Sequence, residues 1–182
     1  ALQYSKERIQ GNNTAIIEYP DVRRMLVTMK AYAEGMRALL YQTSLYIDLS
    51  KHHADAAQRE YYDGQVAILT PICKAYCSDF GFRVTELAVQ TYGGYGYCSE
   101  YPVEQYMRDC KISSIYEGTN AIQSLDLIGR KLGMKGGQYF RDLYERITTF
   151  CANNASHAKI GEACNNLKKS ADQVGQIAMQ FA

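Results

Sequence analysis

Two long stretches of this chain repeat apolar residues with the period of an amphipathic α-helix. The first lies between Asp21 and Leu49, and the second runs from Tyr61 to Leu87. No segment shows a convincing alternation of apolar and polar residues, which is the pattern of a half-buried strand. The sequence therefore predicts an all-α protein, an up-and-down bundle of the four-helix type with extra C-terminal helices.

Prolines and glycines indicate where the helices bend and end. We expect Pro71 to bend the second helix without ending it, because the apolar period resumes beyond it. The glycines at 93, 94 and 96 should terminate that helix, since glycine accepts a positive φ. Pro102 then suits the first turn of a shorter helix from about 102 to 114.

Beyond a turn at Glu117-Gly118 the helical period returns in three further segments. Gly133, Gly136 and Gly137 separate the first of these from the second, and a linker from Cys151 to Ser156 is expected before the third. We assign residues 1–135 to a helical bundle whose first helix is truncated. Residues 136–182 are assigned to a C-terminal helical extension packed on that bundle.

The charge of the chain argues against polyanionic partners. Its 20 Lys and Arg residues and 19 Asp and Glu residues are scattered along the sequence, for a formal net charge of +1. Such a pattern predicts neither nucleic-acid nor membrane binding. A membrane-spanning helix needs roughly 20 apolar residues, and the longest nearly apolar stretch is far shorter.

Most of the six cysteines lie in helical patterns beside apolar residues. We therefore expect reduced thiols and a cytoplasmic protein, and the start of the chain does not resemble a secretory signal. Cys73 and Cys77 could share one helical face, but no histidine lies at a matching spacing, so we predict no metal site.

A compound motif occupies the region between residues 90 and 120. It consists of the glycine-rich bend Gln90-Thr91-Tyr92-Gly93-Gly94-Tyr95-Gly96-Tyr97, the segment Arg108-Asp109-Cys110-Lys111-Ile112, and the turn Ile115-Tyr116-Glu117-Gly118-Thr119. With the opening segment from Tyr4 to Gly11, the chain resembles the C-terminal helical domain of the acyl-CoA dehydrogenases as far as about Leu132. The following 50 or so residues resemble the extra C-terminal region of a larger subgroup of that family.

This resemblance implies an FAD-dependent enzyme that oxidises an acyl-CoA to a trans-2-enoyl-CoA. Glu117 would be the base that removes the α-proton, and hydride would pass to FAD. A carboxylate suits this task if an apolar site raises its pKa. From the turn alone, Glu117 could instead be a carboxylate favoured by the dipole of the helix that begins near Thr119.

The resemblance also implies a set of cofactor contacts. Residues matching Arg8, Gln10, Gln90 and Gly94 help to bind the diphosphate and adenosine of an FAD held by a neighbouring subunit, and Gly93 belongs to the same bend. Independently of the family, an arginine, amide side chains and exposed backbone N–H groups are suitable partners for a diphosphate.

Two residues beside the base complete the implied site. Thr119 would lie by the flavin and Gly118 by the substrate thioester, whose carbonyl the backbone N–H of Glu117 would polarise. At Ala121 the chain departs from the pattern, because many relatives have a polar side chain there.

Partners follow from the same resemblance. It implies electron transfer to an electron-transferring flavoprotein and assembly as a homodimer or homotetramer. The N-terminal helical domain and the β-barrel of the family are absent from this sequence, so we expect a fragment, inactive by itself, of a roughly threefold longer enzyme. The alternative function is a catalytically silent helical module that serves oligomerisation.

Several side chains are predicted to have structural rather than catalytic roles. We expect Tyr92, Tyr95 and Tyr97 to seal the glycine loop against the bundle rather than to stack on a cofactor. Arg108-Asp109 should form a structural ion pair or a helix-end contact. The methionines at helical spacing should lie in the core or at a helix interface: Met25, Met29 and Met36.

Overall fold

The computed structural model describes residues 1–181 and is almost entirely helical. Two short antiparallel strands, β1 (Ile9–Gln10) and β2 (Thr14–Ala15), pair with Ile9 opposite Ala15. The predicted all-α fold class is confirmed. The α-helices of the described residues are α1 (Leu2–Glu7), α2 (Pro20–His52), α3 (Ala56–Tyr92), α4 (Val103–Lys111), α5 (Asn120–Asp126), α6 (Gln138–Asn154) and α7 (Gly161–Ala178).

Short non-α turns join several of these helices. A π-helical turn at Leu127–Lys131 extends α5. The remaining turns are 3₁₀-helical and comprise Ile16–Glu18, Gly93–Tyr97, Ile112–Ser114 and Met134–Gly137. No helix within residues 1–181 combines the length and the apolar character that a membrane crossing requires.

The two long helices confirm the two periodic stretches of the sequence. α2 has 33 residues and α3 has 37, and Pro71 lies inside α3, which continues to Tyr92. The glycine bend ends α3 as predicted, with Gly93 at φ +61°. The shorter helix begins beside Pro102 and runs to Lys111, followed by the 3₁₀ turn to Ser114.

The chain forms two compact units, and both long helices contribute to each of them. The first unit comprises Ala1–Gln42 and Cys73–Asn120, and the second comprises Thr43–Ile72 with the residues from 121 onward. The division of the chain at residue 135 stays a prediction.

The core of the first unit lies between the first half of α2 and the end of α3. Met25, Met29 and Leu87 are buried there, as predicted for the two methionines, whereas Met36 is only half-buried. Apolar side chains at helical spacing are thereby removed from water, which is the main stabilising contribution of such helices. The half-buried residues packed around this core are Ala1, Val22, Leu26, Val84 and Ala88.

In the second unit, α6 begins against the first half of α3. The side-chain amide of Gln65 is fully buried and its Nε2 donates a 3.0 Å hydrogen bond to the carbonyl oxygen of Tyr139. A Cβ atom on the neighbouring Gly64 would overlap the ring of Tyr139. Gly64 therefore allows the close approach of the two helices.

The predicted linker from Cys151 to Ser156 is wrong in its first four residues, which belong to α6, whereas Ala155 and Ser156 do lie in the connection to α7. α6 continues to Asn154, and Cys151 is only 2% exposed within it. Burial of Cys151 outweighs the low helix propensity of Asn153 and Asn154, which occupy the last turn. The Asn154 side chain donates a hydrogen bond to the Phe150 carbonyl, and the connection to α7 falls at residues 155–160.

Arg108 forms an ion pair, as predicted, but its partner is Glu104 rather than Asp109. Arg108 lies 3.7 Å from the carboxylate of Glu104, one helical turn earlier in α4. Adjacent residues of a helix point about 100° apart, whereas residues four apart share a face, so Glu104 is the better-placed partner.

Replacement of Gly64 by alanine should destabilise the second unit. The added methyl group has no space beside the Tyr139 ring, and such overpacking typically costs about 1–3 kcal/mol. Gly35→Ala in α2 is the matched control, because a Cβ atom there would meet no other atom within 4 Å and alanine is the better helix former by about 1 kcal/mol. Urea denaturation followed by circular dichroism should show opposite signs for the two variants. Equal stabilities would contradict the close contact.

Candidate functional site

A cavity of about 890 Å³ lies within the first unit, beside the glycine bend that ends α3. Its walls come from the start of the chain, the start of α2 and the bend itself. The residues that the sequence analysis assigned to the diphosphate and adenosine of a cofactor all line it: Arg8, Gln10, Gln90, Gly93 and Gly94.

The hairpin after α1 holds the first two of these residues in place. Arg8 is extended at φ −72° and ψ 118°, and its N–H donates a 2.8 Å hydrogen bond to the Tyr4 carbonyl. Gln10 lies in β1, and its carbonyl accepts a 3.0 Å hydrogen bond from the hydroxyl of Tyr19. The backbone is thus fixed, while the side chains of Arg8 and Gln10 remain exposed.

A cluster of tyrosines supports the same wall of the cavity. Tyr4 and Tyr92 are stacked with ring centroids 3.9 Å apart, and the Tyr101 ring forms T-shaped contacts with both. The Arg8 guanidinium lies 4.9 Å from the centroid of the Tyr95 ring, a cation–π geometry that restrains an otherwise flexible side chain. Burial is the main cause that raises the pKa of Tyr4.

The three tyrosines beside the glycines do not behave alike. Tyr92 packs in the cluster, as predicted for a ring that seals the loop. The ring centroids of Tyr95 and Tyr101 are 5.4 Å apart, and Tyr95 remains 45% exposed. Tyr97 is 87% exposed, so the prediction is wrong for this residue. Tyr97 is the last residue of the 3₁₀ turn Gly93–Tyr97.

The structure favours glycine at two of the three glycine positions in the bend, each for a different physical reason. Gly93 has a positive φ that favours glycine, and a Cβ atom on Gly96 would overlap the Val89 carbonyl of the preceding helix. Neither reason applies to Gly94, because a Cβ atom there would meet nothing within 4 Å. The packing of this chain therefore leaves the surface at Gly94 open for the approach of another molecule.

The turn that carries Glu117 lies apart from this cavity and does not line it. Glu117 has φ +55° and Gly118 has φ +82°, so two successive residues adopt the left-handed conformation. That conformation is costly for glutamate, and such strain concentrates at functional sites. The Glu117 side chain is exposed, as are those of Ile115 and Tyr116 before it and Thr119 after it.

α3 anchors this turn through residues that the sequence analysis did not select. Lys74 Nζ donates a 2.7 Å hydrogen bond to the Gly118 carbonyl and a 2.8 Å hydrogen bond to Oδ1 of Asn120. Asn120 in turn donates to Ser78 and Asp79. The sequence feature that could have indicated these residues is a lysine and a serine spaced by four positions in a largely apolar helix.

A second cavity, of about 440 Å³, lies within the second unit between α6 and α7, and none of the predicted site residues line it. There Tyr144 donates a 2.8 Å hydrogen bond to Asp172. Among residues 1–181, no group of three or more His, Cys, Asp or Glu side chains is arranged to hold a metal ion.

Comparison with known proteins gives one consistent result. The family described as "Acyl-CoA dehydrogenase, C-terminal domain" matches residues 1–133. A butyryl-CoA dehydrogenase of Syntrophomonas wolfei is 46% identical over 166 residues, which cover 87% of this chain and 27% of that protein. A 3-methylmercaptopropionyl-CoA dehydrogenase of Ruegeria pomeroyi is 41% identical in an alignment that covers 100% of this chain and 31% of that protein.

A solved structure shares the fold over nearly the whole chain. Caenorhabditis elegans ACDH-11 matches with a TM-score of 0.84 and 19% identity, covering 98% of this chain and 29% of that one. The chain thus spans between about a quarter and a third of the length of these relatives.

Replacement of Glu117 by glycine should leave the stability unchanged or raise it by up to about 1 kcal/mol. Glycine adopts the left-handed conformation without the steric cost that glutamate carries. The control is Glu34→Gly in the interior of α2, where the same change should destabilise by about 1 kcal/mol. Urea denaturation of both variants measures the difference. A Glu117→Gly variant destabilised as much as the control would argue against a strained turn.

Proposed function

Because the chain belongs to the acyl-CoA dehydrogenase family, we propose that it is the C-terminal domain of an enzyme that oxidises an acyl-CoA to a trans-2-enoyl-CoA. The observation that carries this proposal is the convergence of Arg8, Gln10, Gln90 and the glycine bend on one cavity. These residues come from segments some 80 positions apart, and the fold of the first unit brings them together.

The donor set of this cavity fits the adenosine diphosphate half of FAD. Arg8 offers a planar cation that can bind a phosphate with two hydrogen bonds, and Gln10 and Gln90 offer amides for phosphate, ribose or base. The open surface at Gly94 permits close approach of the cofactor backbone. A cavity of about 890 Å³ is within the range that holds ligands of this size.

Glu117 is the proposed base for the α-proton of the substrate. When bound, FAD supplies the acceptor for the β-hydride. The exposed turn lets the Glu117 carboxylate project from the domain, and the backbone N–H of the same residue can polarise the thioester carbonyl. In this arrangement Gly118 would contact the thioester and Thr119 would contact the flavin.

A base at neutral pH requires a carboxylate with a raised pKa, which burial among apolar groups provides. Glu117 is exposed within the described residues, so the proposal requires apolar walls from outside them. The chain covers 26% to 31% of the length of the curated relatives. The proposal therefore includes a contribution to the site from outside this chain.

Electrons from the flavin would pass to an electron-transferring flavoprotein. If the cavity holds the FAD of a neighbouring subunit, the enzyme is at least a homodimer, and a homotetramer satisfies the same requirement. All six cysteines lie within the described residues and are thiols rather than disulfides, which fits a reducing compartment, and we propose the cytoplasm.

The alternative function, a silent oligomerisation module, draws on exposed apolar side chains. Val27 is 67% exposed and Tyr41 69% exposed on α2, as is Leu125 at 67% on α5. Such surfaces are suited to contact with another protein chain. A silent module would have no need of Glu117, and this difference can be tested.

Glu117→Gln in the longest natural form of the protein should abolish dehydrogenation while FAD remains bound. The amide keeps the shape of the side chain but cannot accept the α-proton. We therefore expect the acyl-CoA to reduce the flavin at least about 10³-fold more slowly. The measurement is anaerobic mixing with a panel of acyl-CoAs while the flavin absorbance is followed. Glu100→Gln, at another exposed turn, is the control and should bleach normally. Bleaching by the Glu117 variant at the natural rate would remove Glu117 from the mechanism.

Arg8→Gln should weaken FAD binding about 10- to 100-fold, because a charged hydrogen bond to a phosphate contributes about 1.5–3 kcal/mol. The FAD dissociation constant can be measured by fluorescence titration of the apoprotein. Arg37→Gln serves as the control, since Arg37 is exposed on α2 and does not line the cavity. Equal FAD affinity of the two variants would show that Arg8 does not bind the cofactor.

A further inference from the structure

One lysine of α3 bridges the turn that carries Glu117 and the start of α5. Lys74 Nζ donates to the Gly118 carbonyl at 2.7 Å and to Oδ1 of Asn120 at 2.8 Å. The ammonium group therefore holds one backbone atom inside the turn and one side chain immediately after it. All of these atoms belong to the first unit.

Asn120 is itself held from its other side. Its Nδ2 donates to Ser78 Oγ at 3.0 Å and to Asp79 Oδ1 at 2.7 Å. The Ser78 hydroxyl lies 3.2 Å from Asn120 Oδ1, and Ser78 is almost completely buried. Because Lys74 and Ser78 are four residues apart, they lie on one face of α3 and meet Asn120 together.

The turn needs such support because its backbone is in a disfavoured conformation. Glu117 at φ +55° is not a glycine, and a strained residue persists only where the surroundings over-determine its geometry. Lys74 supplies a charged donor to the carbonyl of the next residue, and charged hydrogen bonds are shorter and stronger than neutral ones. That carbonyl belongs to the peptide after Gly118, so the hydrogen bond holds the backbone one residue beyond Glu117 and limits movement of the turn from which the Glu117 side chain leaves.

We propose that Lys74 is a positioning residue for the base, acting with Asn120 and Ser78 through the Glu117-Gly118 turn. This inference rests on the proposed function of Glu117. Lys74 exchanges no proton with substrate; it sets the orientation of the Glu117 carboxylate and of the backbone N–H that faces the thioester. Displacement of a reacting group by about 1 Å can lower a rate roughly 10²-fold, so the loss of this support should appear in the chemical step.

The test uses Lys74→Met in the longest natural form of the protein loaded with FAD. Methionine keeps much of the apolar stem and removes both hydrogen bonds to the turn. We expect kcat to fall about 10- to 100-fold, whereas FAD content and the dissociation constant of a non-reacting acyl-CoA analogue change less than about 3-fold. Lys74→Arg, which can still donate to two acceptors, should recover part of the rate. Lys30→Met, at an exposed ion pair with Glu34 on α2, is the matched control and should behave as the natural protein.

Exchange of the substrate α-proton with deuterium oxide provides a readout that a merely structural lysine would not move. It reports proton abstraction by the base, and it should slow in parallel with kcat in Lys74→Met. Natural exchange and turnover in a folded Lys74→Met protein would overturn the inference. So would a loss of turnover that follows the loss of FAD or substrate binding in proportion.

Ser78→Ala keeps the test decisive if Lys74→Met does not fold. Removal of one hydroxyl from the network should lower kcat and α-proton exchange about 2- to 10-fold, and an unchanged rate would count against the network. The Glu117→Gln variant separates this inference from the function on which it rests. An active Glu117→Gln protein refutes the proposed base, whereas an inactive one beside a fully active Lys74→Met protein refutes only the positioning role.

Discussion

The apolar contact between the first half of α2 and the end of α3 is the interaction on which the site of the first unit depends. Met25 and Met29 face Leu87 there, and the surrounding half-buried residues extend the contact along both helices. This burial fixes the end of α3, from which Gln90 and the glycine bend emerge. Val22 and Met25 also line the cavity, so the same apolar surface forms the core and one wall of the candidate site.

α3 also serves as the support for the turn of Glu117. α3 has 37 residues and presents side chains at fixed spacing over a long distance. Its last part contributes to two features of the first unit. Lys74 and Ser78 hold the turn near the start of α5, and the end of the helix positions the cavity. In this part of the first unit, positive φ angles fall between helices: at Gly93, directly after α3, and at Glu117-Gly118, shortly before α5.

The sequence was informative wherever periodicity or backbone chemistry decides the structure. The apolar period predicted α2 and α3 because burial of one face stabilises long helices, and the glycines predicted the bend because Gly93 requires a positive φ. The predicted linker began four residues too early because the burial of Cys151 outweighed two poor helix formers. Lys74 was missed because its partners, a carbonyl oxygen and Asn120, lie more than 40 positions away, and no local pattern specifies such a hydrogen bond.

The separation of the two predicted groups of residues has a physical consequence. Arg8, Gln10, Gln90 and Gly94 share one cavity, whereas Glu117 projects from a turn that does not line it. A single FAD bound by one copy of this domain would have to satisfy both groups, although the turn lies outside the walls of that cavity. In the proposed enzyme, sharing of FAD between subunits would meet both requirements, because one copy would contact the diphosphate of a cofactor whose flavin lies beside Glu117 of its partner. In the proposed enzyme, loss of assembly would therefore release FAD even though every cofactor-binding side chain of the domain remained in place.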